Sequence, residues 1–189
     1  MARRRVDDPR SDHALIAACN DGSAREAARA FEVLYRRHKD YALRVALRFV
    51  PDTDTALDVL QETFLYLLRQ FPPAGPGIEL TAKLTTLLYP VAKNTALTAL
   101  RRGNRFPAAD VEPDELAEAT EPVAAGDVGA VIAALPARQR EVLLLRFVDG
   151  MSLAEISQVL DIPLGTVKSR LHVGIGRLKS SGAGDDLRD

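Results

Sequence analysis

The stretch "TVKSRLHVGIGRLK", residues 166–179, gathers Thr166, Lys168, Ser169, Arg170, His172 and Arg177 around an apolar set, Val167, Leu171, Gly174 and Leu178, at three- and four-residue steps. Hydroxyls, an ammonium and guanidinium groups reach phosphate oxygens and base edges. The chemistry on offer is therefore recognition of a nucleic acid. Upstream, Ser152 with Glu155 three residues later forms a capping box for "LAEISQVL", and "DIPLG", with Pro163 and Gly165, supplies a tight turn. Two short helices so joined make a helix-turn-helix. A bidentate base contact discriminates by about 1–3 kcal/mol, whereas specific binding must exceed non-specific binding by about 4–10 kcal/mol. Gly174 and Gly176 weaken the second helix by about 1 kcal/mol each. One such module is too weak alone. It needs a dimer partner, a second DNA-reading domain or a larger machine.

The elements that must carry this motif are all helical. "DHALIAAC" reads as a short helix with Asp12 as N-cap. A long helix is expected over 24–50, with Phe31, Leu34, Tyr35, His38, Ala42, Val45, Ala46 and Phe49 forming one stripe. A third runs over 55–70 and stops at "FPPAGPG". Residues 79–102 are helical in pattern but contain Pro90, which predicts a kink or two helices, with Pro90 opening the second. In the back half, Val142, Leu143, Leu145, Arg146 and Phe147 offer a broad face, and Gly150 ends their helix.

The formal net charge is only −1, and its distribution matters more than its sum. Residues 1–106 hold 17 Lys/Arg against 12 Asp/Glu, residues 107–127 hold seven acids and no Lys or Arg, and residues 128–189 hold 8 against 7. The acidic middle, rich in Ala, Pro and Gly, has too little apolar surface to offset its ordering entropy and reads as a flexible linker. Its roughly 20 residues could reach near 70 Å at about 3.3 Å each. No apolar run approaches the roughly 18 residues of a membrane span, and "MARRRVDDPRSD" lacks the apolar core of a signal peptide. Cys19 is the single cysteine, which fits a reducing cytosol. His13, His38 and His172 have no partner at metal-ligand spacing, and no nucleophile–base set or phosphate loop is visible, so neither a metal site, a cofactor nor an enzyme is expected.

"LPARQREVLLLRFVDGMSLAEISQVLDIPLGTVKSRLHVGIGRLK" resembles region 4 of the sigma-70 family in its extracytoplasmic-function (ECF, group IV) branch. "FEVLYRRHKDYALRVALRFVPDTDTALDVLQETFLYLLRQF" resembles region 2, and "VAKNTALTALRR" its end. The resemblance implies an all-α protein of two small helical domains, a region 2-like bundle over 12–104 and a region 4-like helix-turn-helix over 128–180, joined by the acidic linker 105–127. It implies a cytoplasmic, non-catalytic initiation factor whose partners are core RNA polymerase, promoter DNA and an anti-sigma factor, with no membrane insertion. Asp58, Gln61, Glu62 and Phe64 in "DVLQETF" would bind core polymerase, although that spacing alone equally describes a solvated face over a core. Asn94, Thr98, Arg101 and Arg102 would read the −10 element, and the loop "PPAGPGIEL" lies where the family captures an unstacked base. Thr166, Lys168, Ser169, Arg170 and Arg177 would read the −35 element, with the back domain on the polymerase flap. The linker would follow the polymerase's RNA path, or serve as a plain spacer.

The chain departs from the family pattern at several places. Leu84 and Leu87 stand where an aromatic-rich "F..WL" is usual, Leu57 replaces a Glu, Thr98 an Asp, and "VGIG" a more arginine-rich run. These changes bear on promoter melting and −10 reading. The competing expectation is a LuxR-type regulator that binds DNA without polymerase, which leaves residues 25–102 unexplained.

Overall fold

Ser11 opens the first helix: its hydroxyl accepts from the Ala14 amide, one residue earlier than the cap expected from sequence. Asp12 is drawn off instead by the second helix, where its carboxylate lies 2.7 Å from His38 Nε2 and also pairs with Arg37. In this computed structural model, which describes residues 8–103 and 132–180, the elements are α1 (Asp12–Asp21), α2 (Ala24–Ala46), α3 (Thr53–Arg69) and α4 (Leu84–Gly103), then α5 (Ala137–Leu143), α6 (Leu153–Leu160) and α7 (Leu164–Ser180). A π-helical turn, Leu144–Val148, follows α5 directly. The described residues contain no strand. The acidic linker over 105–127 lies outside them.

The first four helices form one bundle because each is apolar on one stripe. Leu34, His38, Ala42, Val45 and Ala46 of α2 are buried as the spacing predicts, and Phe49 and Val50 in the turn beyond it close the same core. Tyr35, expected on that stripe, is instead exposed, its ring edge-on to Phe64. Burial holds the His38 imidazole below its ordinary pKa, against the pull of Asp12. Cys19 is buried as well, and desolvation pushes its thiol up to about 11, which keeps it protonated and inert.

Pro90 does not divide α4, which runs unbroken from Leu84 to Gly103. The proline withholds one backbone donor, the one that would bond the Thr86 carbonyl. Packing outweighs that loss, since Leu84, Leu88, Tyr89, Ala92, Ala96 and Leu97 all bury on one side. Leu84, where the family pattern has an aromatic, is a core residue.

The C-terminal helices are built from the expected caps and one unexpected turn. Ser152 and Glu155 make the reciprocal capping box, and the Ser152 amide holds the Glu155 carboxyl below its usual range. Gly150 sits at φ +66°, a left-handed stop that glycine tolerates. Between α6 and α7 the reversal is made by Asp161 at φ +51°, whereas Gly165 already belongs to α7. Asp tolerates this conformation better than most side chains.

Phe64 of α3 is 4% exposed and packs edge-on against Phe31, while Asp58 on the same helix is exposed. Phe64→Ala is therefore expected to cost about 3–5 kcal/mol and Asp58→Ala less than about 0.5 kcal/mol, read from urea unfolding midpoints.

Candidate polymerase and nucleic-acid interfaces

Three helices present the residues singled out from sequence, and each does so on a face set by its own burial pattern. On α3, Ala56, Val59, Leu60, Thr63, Phe64 and Leu67 turn inward. Asp58, Gln61 and Glu62 are therefore exposed together. Phe64 does not join them on the surface: it is buried beneath the helix, edge-on to Phe31. Sequence reasoning missed the apolar residues on the outer face. Leu57, Leu65, Tyr66 and Leu68 are 40–46% exposed and alternate with the acids around the same arc. The signal was available as large apolar residues that fall off the buried stripe. An acidic and apolar surface of this kind suits a protein partner that offers basic and apolar groups.

On α4, Asn94, Thr98, Arg101 and Arg102 are exposed, Thr98 four residues after Asn94 and the two arginines three and four residues after Thr98. The Thr98 hydroxyl donates to the Asn94 carbonyl at 2.8 Å, so it is turned back on its own helix. The neighbouring Lys93 is half-buried and bonded, its Nζ 2.7 Å from Glu141 Oε1 of α5. The loop before α4 is pinned by a residue that sequence gave no reason to single out. Asn20, at the end of α1, accepts from the Ile78 amide at 3.0 Å and donates to the Ile78 carbonyl at 2.8 Å. Gly77, at φ +95°, brings the backbone close enough for this pair.

On α7, Val167, Gly174 and Leu178 are buried and Leu171 is partly so, as the spacing requires. Lys168, Ser169 and Arg177 are exposed, and Thr166 and Arg170 are half-buried. The two glycines do different things. A Cβ on Gly174 would stand 2.9 Å from Leu143 Cδ1, so this glycine lets α7 approach α5 closely, whereas Gly176 faces open space. Phe147 and Val148, in the π-turn, are more than half exposed and form a second apolar patch. His172 is exposed too, and no group of His, Cys, Asp and Glu able to hold a metal occurs among the described residues. None of their helices is long and apolar enough to cross a membrane.

The comparisons with known proteins agree with this geometry. A model of sigma-70 region 2 matches residues 34–106, and one of sigma-70 region 4 matches residues 125–178. The RNA polymerase sigma-H factor of Pseudomonas aeruginosa is 32% identical over 160 residues, covering 76% of this chain and 81% of its own length. The chain belongs to the sigma-70 family, in its ECF branch. The ECF RNA polymerase sigma factor SigE of Mycolicibacterium smegmatis is 29% identical over 182 residues, 89% of this chain and 68% of its own. Among solved structures, CnrH in complex with the cytosolic domain of CnrY matches with a TM-score of 0.61 at 25% identity, over 92% of this chain and 98% of that one.

The two glycines of this sigma factor's α7 separate in a simple test. Gly176→Ala is expected to raise stability by about 0.5–1 kcal/mol through helix propensity. Gly174→Ala is expected to lose that gain and to cost about 1–3 kcal/mol by overpacking against Leu143, both read as shifts in the thermal midpoint.

Proposed function

We infer that this protein is a cytoplasmic ECF sigma factor without catalytic chemistry of its own, which binds core RNA polymerase and directs initiation at promoters with −10 and −35 elements. The observation that carries the reading is the order of the two family matches, region 2 over 34–106 and then region 4 over 125–178, each containing an exposed polar helix face. The region 2 match also accounts for the front domain that a LuxR-type regulator would leave unexplained.

The roles follow from the faces. Asp58, Gln61 and Glu62, with Leu57, Leu65 and Tyr66 between them, would dock on core polymerase, and Phe147 and Val148 would meet the flap. Asn94, Thr98, Arg101 and Arg102 would read the −10 element, with the Asn20-pinned loop taking the unstacked base. Thr166, Lys168, Ser169, Arg170 and Arg177 would serve the −35 element. The domain limits that fit these roles are 12–104 and 128–180. CnrH was solved with the cytosolic domain of CnrY, and control by an anti-sigma factor is the corresponding expectation for this chain.

Co-elution with sigma-free bacterial core polymerase, followed by run-off transcription on genomic fragments, tests the reading. Asp58→Arg should weaken polymerase binding at least tenfold, and Gln61→Ala less, because reversing a charge inside an acidic patch adds repulsion to lost contact. Tight DNA binding without polymerase and no specific starts would restore the regulator. With polymerase and a mapped promoter, Lys168→Ala should weaken binding uniformly across sequences and lower the salt slope by about 1.

A further inference from the structure

We propose that Ser157, in the middle of α6, is a positioning residue for reading the −35 element: its hydroxyl holds the turn into α7 and so sets the orientation in which Thr166, Lys168, Ser169 and Arg170 meet base edges. The inference rests on the reading as an initiation factor.

A hydroxyl inside a helix commonly turns back on its own backbone. Thr63 does so, donating to the Val59 carbonyl at 2.7 Å, and Thr98 donates in the same way to Asn94. Ser157 instead reaches forward five residues and donates to the Ile162 carbonyl at 2.6 Å. The Ile162 amide answers by donating to the Ser157 carbonyl at 3.1 Å. One residue of α6 therefore holds both polar backbone groups of Ile162. The start of α7 does not compete for that carbonyl. Pro163 has no amide to offer, and the Thr166 and Val167 amides both donate to the Pro163 carbonyl, at 2.8 and 3.1 Å. Inside the ring so closed, Asp161 takes its left-handed φ of +51° while its amide donates to Gln158 at 3.3 Å.

The turn supplies what packing alone does not. Val167 and Leu178 are buried and Gly174 lies against Leu143, which fixes where α7 sits. Such apolar contacts are non-directional, whereas hydrogen bonds constrain angle as well as distance. Arg170 lies about 12 Å along the chain from Ile162 at about 1.5 Å per helical residue, so a tilt of about 10° at the turn displaces it by about 2 Å. A base-edge hydrogen bond spans only about 2.7–3.2 Å, and a shift of that size breaks it. Ser157 is half-buried and its hydroxyl is engaged by the turn, so it acts through α7 rather than on DNA.

The test uses the full chain with sigma-free core polymerase and a mapped promoter. Ser157→Ala removes the hydroxyl and suits a helix, and Ser157→Thr keeps the hydroxyl. Discrimination is the ratio of run-off transcripts from the mapped promoter to those from a copy with one −35 base pair changed, measured again with one −10 base pair changed. Residual dipolar couplings of the α6 and α7 amides in the free protein report the angle between the two helices. Ser157→Ala should lower the −35 ratio by about three- to tenfold, leave the −10 ratio unchanged and turn α7 relative to α6. Ser157→Thr should keep the wild-type ratios and angle. A general loss of stability lowers both ratios alike, so equal loss at −10 and −35 overturns the proposal. An unchanged −35 ratio, an unmoved α7, or the same loss in Ser157→Thr overturns it as well. An α7 that turns in Ser157→Ala but not in Ser157→Thr, with no specific start from wild type, supports the positioning and overturns instead the reading as an initiation factor.

Discussion

Arg48 and Asp149 stand 101 residues apart in the chain, and their buried bidentate pair sets how the two halves meet. Burial alone would lower the arginine's pKa, yet the hydrogen bonds and charge of Asp149 hold it raised, so the guanidinium stays charged. The aspartate is aimed by local backbone. Its amide donates to the Leu144 carbonyl at 3.0 Å, the Met151 amide to Leu145 at 3.0 Å, and Gly150 makes the left-handed step between them. The π-turn therefore does more than end a helix, because it turns the carboxylate toward the bundle. Removing one member of a buried pair typically costs about 3–5 kcal/mol, since the other charge is left uncompensated. The Tyr89–Glu141–Lys93 contacts follow once this register is fixed.

That arrangement bears on the low net charge of the chain. A DNA-binding protein usually advertises an uncompensated basic surface. Here Arg48 and Lys93 are matched by Asp149 and Glu141, while Arg101, Arg102, Lys168 and Arg177 stay at the surface. Non-specific affinity scales with the phosphates a protein neutralises, so pairing these two cations away from solvent leaves fewer to neutralise phosphates.

What the sequence disclosed was local. The Ser152–Glu155 capping box, the left-handed stop at Gly150, the α2 stripe with His38 and the anchors of α7 all follow from spacings of a turn or two, and they stand as expected. The failures share one cause. Asp12 is not a cap because His38 and Arg37 claim its carboxylate from another helix. Phe64 is not a surface residue because Phe31 and Tyr35 cover it. Pro90 does not split α4 into two helices because apolar packing along one side holds the residues on both sides of it in one helix. Glu141 and Asp149 drew no notice in the sequence, because their partners lie in the front half. Contacts between distant segments leave no periodic trace in a sequence.

Asn20 has one more consequence. Its amide holds both polar groups of the Ile78 backbone from a helix that precedes the stretch matched to region 2. Fixing a backbone residue costs about 1–2 kcal/mol, and at Ile78 that cost is met during folding. If the loop takes a base, as proposed above, a pre-set receptor of this kind would select one already unstacked more readily than mould itself around it. Strand separation and base capture would then be successive events with different sensitivities: the first to temperature and duplex sequence, the second to the shape of a loop anchored to α1.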